Sequence, residues 1–257
     1  LPLIVQFHGS DASARSRVIP LKERYQRLFR VAAAVVAKSH PMRLTLVGLG
    51  APPERVIVSP CGADAGLFHG SDPGRSPPDL LAVGRFVAKK GPLLTIEAFW
   101  IACHRLPPAL AASARLVMVG DGPLKSQARA LIRSLGMDDR VSFPGVLSPA
   151  KVAALMRCSR AFVQHSCVAP DGDAEGSPVS VMEAQLSGLP VIATRHAGIP
   201  EVVVDGETGL LVGEGDVDAM ADAMARLLQD PALAAQLGQA ARGRAAGAFT
   251  VAHHLQD

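Results

Sequence analysis

The chain has 257 residues and a formal net charge of +3, from 26 Lys+Arg against 23 Asp+Glu. With 49% apolar and 19% charged residues it must collapse around a core, which excludes a disordered chain. Aromatic residues at 4% exclude stacking platforms for single-stranded nucleic acid, so no nucleic-acid partner is expected, and no apolar run approaches the ~20 residues that cross a bilayer.

The charge is uneven. Residues 1–70 hold nine Lys/Arg and four Asp/Glu, net +5, and residues 71–257 hold seventeen and nineteen, net −2. Between them lies Ser71-Asp72-Pro73-Gly74-Arg75-Ser76-Pro77-Pro78, which suits neither helix nor strand. Residues 71–78 are therefore expected to be a linker between two units. The cysteines, Cys61, Cys103, Cys158 and Cys167, have no metal-clip spacing and read as reduced core fillers of a cytoplasmic protein. The chain opens at Leu1 with no charged leader before an apolar stretch, so no signal peptide is expected; a start other than Met suggests a fragment or a processed chain.

In the first unit, strands are expected over 3–7, 33–37 and 55–59, with one helix over about 20–34. Three strands and one helix are too few for an independent doubly wound domain, so residues 1–70 are expected to be the later part of one that is incomplete at its N-terminus. In that helix Leu21, Tyr25, Leu28 and Ala32 form an apolar stripe, while Lys22, Arg24, Arg27 and Arg30 lie mostly off it, with Arg15 and Arg17 upstream. A basic face of this kind suits anionic lipid headgroups as well as plain solvent.

In the second unit, strands are expected over 79–83, 115–119, 140–143, 160–165, 190–194 and 209–212. Helices are expected between them over 91–105, 124–135, 148–157 and 178–187, and after the last strand over 217–228. Strand–helix alternation with short connections implies right-handed crossovers and a parallel sheet. The fold class is thus α/β with two Rossmann-like domains, the second over 79–248; residues 249–257 would begin a truncated C-terminal helix.

Ligands of open parallel sheets bind beyond the carboxyl ends of the strands. At those ends stand Gly84-Arg85, followed by Lys89-Lys90, then Gly120-Asp121-Gly122, Gly145, His165 with the polar run to Ser177, and Arg195-His196. Glycine allows close backbone approach, and Arg85 and Lys90 supply a planar fork and a point charge for phosphate oxygens. Ser177 as N-cap and Pro178 at the first helical position would turn a helix N-terminus towards the same anion. Glu175 and Glu183 flank that turn, too far apart for an acid–base dyad but suited to two parts of one elongated ligand, Glu183 accepting from vicinal ribose hydroxyls and Glu175 from a sugar. Asp171-Gly172-Asp173 has the spacing for a divalent cation but is equally a common turn, and with Arg85 and Lys90 at hand no metal is expected. His8, at the end of the first strand, would face this rim from the other unit. The remaining histidines, His196 included, show no pattern. A dinucleotide fingerprint fails, because Lys125 stands where a third glycine is needed.

Together these motifs resemble a retaining glycosyltransferase of family 4, with the two-domain GT-B architecture. The resemblance is carried by Gly84-Arg85-Phe86 with Lys89-Lys90-Gly91, by Val119-Gly120-Asp121-Gly122-Pro123, by Glu175-Gly176-Ser177-Pro178-Val179-Ser180-Val181-Met182-Glu183-Ala184, and by Gly198-Ile199-Pro200-Glu201. It covers essentially the whole second unit and is looser in the first, through His8-Gly9 and Pro52-Pro53-Glu54-Arg55-Val56. The run from Asp171 to Pro178 looks most like exopolysaccharide and colanic-acid-type members. The resemblance implies a UDP- or GDP-sugar donor, a glycan or lipid-linked acceptor and no obligatory metal. It implies Arg85 and Lys90 on the donor diphosphate, Glu175 on the sugar, Glu183 on the ribose and His8 beside the transferred sugar. Gly84, Gly120, Gly122, Gly145, His165 and Gly176 to Pro178 complete the expected donor site. A module that binds the nucleotide sugar without turnover is the alternative.

Overall fold

The computed structural model describes residues 1–255; residues 256 and 257, where the sequence suggests a helix continuing, lie outside it. The first unit runs β1 (Ile4–Gln6), α1 (Ser10–Ser13), α2 (Arg15–Val31), β2 (Ala34–Ala37), α3 (His40–Gly48) and β3 (Val56–Val58). These strands form a parallel sheet in the order β1-β2-β3. One core lies under it, in which Phe7, Tyr25 and Phe29 pack ring against ring, with Phe7 and Tyr25 edge-on at 5.4 Å.

The second unit runs β4 (Asp79–Val83), α4 (Pro92–Arg105), α5 (Pro108–Ser113), β5 (Arg115–Val119), α6 (Lys125–Ser134), β6 (Val141–Gly145) and α7 (Pro149–Cys158). It continues through β7 (Ala161–Gln164), α8 (Val179–Ser187), β8 (Val191–Thr194), α9 (Ile199–Val202), β9 (Gly209–Val212), α10 (Val217–Gln229), α11 (Pro231–Ala248) and α12 (Val251–His254). All six strands are parallel in the order β6-β5-β4-β7-β8-β9. Every residue of β7, β8 and β9 is buried, as expected of strands covered on both faces. One core, with Ile96, Phe99 and Met224, lies between the sheet and α4 and α10; the other, with Phe162, Met182 and Leu186, lies beneath α7 and α8.

Numbered within the unit, this strand order is 3-2-1-4-5-6, the doubly wound arrangement whose direction reverses between its first and fourth strands. Those are β4 and β7. Beside their carboxyl ends, Gly84, Arg85, Lys90 and Gln164 line a small pocket.

The expected helix over 20–34 instead begins at Arg15 and keeps Pro20 inside it. Ala14, extended at φ −66° and ψ 120°, is where the chain enters the helix, six residues before the proline. Helix α3 was not expected. Its start signal is nonetheless present: the Ser39 hydroxyl accepts from the Met42 N–H at 3.3 Å, with Pro41 in the first turn. Helix α8 begins at Val179, with Pro178 as its N-cap, and Ser177 does not cap it. The other expected strands and helices of the second unit lie within two residues of those observed.

The two units touch directly. The His40 N–H donates to the Glu201 carboxylate at 2.8 Å, and the Ala63 N–H donates to the Phe249 carbonyl at 2.8 Å. The strand ends of both sheets therefore meet across one cleft.

Candidate donor-binding site

Three glycine turns build the floor. The Gly84 N–H donates to the Val119 carbonyl and the Gly120 N–H to the Gly145 carbonyl, each at 2.9 Å, so the ends of β4, β5 and β6 lie side by side. Gly120 has a φ of +137°, and a Cβ there would collide with the Gly84 carbonyl oxygen. The backbone at this rim is close-packed, and the Lys90 side chain lies over Gly84.

The cations stand above this floor. Arg85 is exposed, and among the described residues its guanidinium makes no hydrogen bond or ion pair. With His8, Gly9, Asp11, Arg17 and Lys89 it lines a cleft of about 260 Å³ between the units. Lys90 turns to Glu175: its Nζ lies 3.2 Å from Glu175 Oε1, with side chains only 16% and 8% exposed. The angle is too poor for a hydrogen bond, so that carboxylate oxygen keeps a free lone pair. Burial pulls the Lys90 ammonium below the ordinary lysine range, Glu175 opposes this, and the Lys89 and Arg85 charges reinforce it.

Lys89 has a different task. Its Nζ donates to Asp173 at 3.0 Å and to the Ala174 carbonyl at 3.2 Å. The Ser13 hydroxyl joins it from α1, accepting the Ala174 N–H at 3.0 Å. The strap from Asp171 to Ala174 is thus tied to both units, and the Asp173 carboxylate, one candidate for a cation, is already the partner of Lys89.

Glu183 sits half-buried on α8, and burial raises its carboxyl above the ordinary range. Among the described residues its carboxylate has no hydrogen-bond or ion-pair partner. Gly176 is buried and packs against the carbonyl of His8, which brings the start of α8 up to the first unit.

His165, expected to touch the donor, lies beneath the site. It is fully buried, and its Nε2 accepts the Gly215 N–H at 3.0 Å, so the proton sits on Nδ1, which meets no acceptor. Burial pushes it down to about 4. Ser177 serves no helix cap; its hydroxyl faces the Met182 sulfur at 4.0 Å. Arg17, expected upstream of a basic helix face suited to lipid or to plain solvent, lines the cleft.

Sequence reasoning missed His196. This residue is 1% exposed, its Nδ1 is 2.6 Å from Glu214, and its Nε2 accepts the Glu175 N–H at 3.0 Å. No local signal announces it, because its partners lie 18 and 21 residues away in the chain.

Two parallel α/β units facing each other across a cleft, with the glycines and cations on the second, define the GT-B class of glycosyltransferase. Residues 70–244 match the family model described as glycosyl transferases group 1, and the chain belongs to that family. WcaL of Salmonella typhimurium, named for colanic acid biosynthesis, is 36% identical over 222 residues, covering 85% of this chain and 53% of its own length. The amylovoran biosynthesis glycosyltransferase AmsK of Erwinia amylovora is 31% identical over 94% of this chain and 58% of its own. The chain thus spans about half the length of these relatives. Among solved structures, Anabaena HepE in complex with UDP-glucose aligns with a TM-score of 0.83 at 23% identity, over 99% of this chain and 70% of that one. Sucrose-phosphate synthase from Thermosynechococcus elongatus aligns at 0.79 and 26% identity, over 98% and 65%.

Proposed function

We propose that the protein transfers a hexose from a UDP- or GDP-sugar, with retention of configuration, to a glycan or lipid-linked glycan acceptor in exopolysaccharide assembly. The observation that carries this is the crowding of Arg85 and Lys89 around the buried Lys90 ammonium, which the Glu175 carboxylate alone offsets. A diphosphate entering beside β4 supplies the missing negative charge. The nature of the acceptor follows the relatives named for colanic acid and amylovoran biosynthesis.

In the reaction, the bond from the anomeric carbon to the diphosphate oxygen breaks and its electron pair leaves with the nucleoside diphosphate. Arg85 and Lys90 stabilise the charge that develops there, and preorganised electrostatics of this kind is commonly the largest catalytic contribution. Glu183 holds the ribose hydroxyls, and Glu175 and His8 hold the sugar from opposite sides of the cleft. Glu175 serves the sugar hydroxyls in this reading, and no carboxylate is assigned as a covalent nucleophile. The acceptor oxygen therefore attacks on the face the diphosphate leaves, and its proton passes to the departing phosphate. The two cationic side chains supply the charge that a metal would otherwise bring, so we assign no obligatory metal.

No helix among the described residues is long and apolar enough to cross a membrane. Lys22, Arg24, Arg27 and Arg30 are all exposed on α2. We assign this face to peripheral contact with the anionic inner leaflet of the plasma membrane, with the catalytic cleft in the cytoplasm.

Calorimetric titration of the full-length protein with UDP and with GDP tests the reading. Arg85→Ala and Lys90→Ala should each weaken the preferred nucleotide at least ~10-fold, the usual scale for losing a charge-assisted contact. Unchanged affinity in both variants would overturn it.

A further inference from the structure

One acidic side chain reaches towards both ends of loop 166–177, which carries Glu175. Glu214, just beyond β9, accepts the Val168 N–H at 2.9 Å through one oxygen. Its other oxygen lies 2.6 Å from Nδ1 of His196. The carboxylate claims the imidazole proton at Nδ1, which leaves Nε2 with its lone pair, and that lone pair accepts the Glu175 N–H at 3.0 Å. One carboxylate thus fixes the loop directly at its start and through the imidazole near its end.

The turn that presents the ring is built for this contact. Ala197, the next residue, has a φ of +46°, the single positive φ at a non-glycine among the described residues. Gly198 follows, and a Cβ there would collide with the Gly176 carbonyl oxygen and crowd the Ser39 side chain. The turn therefore meets the donor loop twice, at the amide of Glu175 and at the carbonyl of Gly176, and the loop in turn holds the strained backbone in place. Around it stand Glu175 with Lys90, His165 bonded to Gly215, Arg195 paired with Asp205, and Glu201 paired with His40.

Resting on the transferase reading above, we propose that His196 is a positioning residue. Backed by Glu214, it orients the Glu175 backbone so that the Glu175 carboxylate meets the donor sugar. It touches neither the diphosphate nor the nucleoside, so it governs turnover rather than nucleotide affinity.

The test uses the full-length protein with UDP and UDP-glucose, and the variants His196→Ala, His196→Asn and His196→Gln. The glutamine oxygen reaches the place of Nε2 and accepts the Glu175 N–H. The shorter asparagine amide still serves Glu214 but falls short of Glu175. Alanine and asparagine should lower kcat by about 30- to 100-fold, the scale of a misplacement near 1 Å, with the UDP Kd within about threefold of wild type. Hydrogen exchange at the Glu175 amide should accelerate at least ~10-fold in both, and glutamine should restore protection and most of the turnover. Asparagine behaving as wild type would overturn the proposal. So would a loss of UDP binding and of protection throughout the domain in every variant, which marks a merely structural role. If the wild-type protein binds neither UDP nor GDP, the transferase reading fails, yet exchange at Glu175 in the asparagine and glutamine variants still decides the relay.

Discussion

The Nζ of Lys90 lies 3.2 Å from a carboxylate oxygen of Glu175, and both side chains are largely out of water. Neither charge is fully satisfied: the oxygen lacks an aligned hydrogen bond, and the ammonium has two further cations nearby. The pair ties the site together and is open to exchange when a ligand brings phosphate to one partner and sugar hydroxyls to the other.

Removing one partner separates these roles. Glu175→Gln leaves a buried ammonium unopposed and should cost about 2–3 kcal/mol of unfolding free energy without ligand, near the lower end for breaking a buried pair because Lys90 keeps some exposure. Saturating UDP should raise the Tm of Glu175→Gln by more than that of wild type, since the diphosphate replaces the lost anion. Lys90→Ala should show a smaller rise than wild type. Differential scanning calorimetry with and without UDP reads all three, and equal rises across the set would contradict the exchange.

Glu183 offers an unpartnered carboxylate one to two turns into α8. Glu183→Gln should weaken UDP binding about 10-fold, the loss of a charge-assisted pair of hydrogen bonds, and leave inorganic pyrophosphate binding unchanged. Parallel titrations with the two ligands check this. An equal loss for both would move Glu183 from the ribose to the phosphates.

His165 makes stability depend on pH. Its folded value is about 4 against an ordinary 6.5, so the unfolded chain binds the proton more readily. The stabilisation is fully present above 6.5 and is lost as pH falls towards 4, by up to about 3 kcal/mol. His165→Gln keeps an acceptor for the Gly215 N–H and cannot titrate. Urea unfolding at pH 7 and pH 4.5 should show a smaller difference for this variant than for wild type.

Arg24 and Arg27 are exposed on α2, and the Arg27 ion pair with Glu23, at 3.8 Å between highly exposed groups, contributes little. Reversing both to Glu in the full-length protein should lower binding to vesicles with anionic lipid at least ~10-fold at low salt, at about 1 kcal/mol per basic residue near the surface. UDP affinity should not change. Vesicle sedimentation at two salt concentrations measures it, and binding insensitive to both salt and charge reversal would refute the assigned face.

The amino-acid sequence by itself determined the alternation of apolar strands with amphipathic helices, the parallel second sheet, and the glycines and cations that follow its strands. Those features are local: a period, a turn residue or a strand end is written within a few residues. It was less informative in the first unit, where Pro20 looked like a helix start although the chain enters the helix at Arg15. Which charge faces which was settled only by the tertiary structure. Two adjacent lysines part company there: Lys89 turns to Asp173, 84 residues away, to pin a strap, while Lys90 turns to Glu175 in the site. His196, without any pattern along the chain, gains its meaning from Glu214 and from one backbone amide. Crossing strands bring such partners together, and no periodicity encodes a contact between residues that far apart.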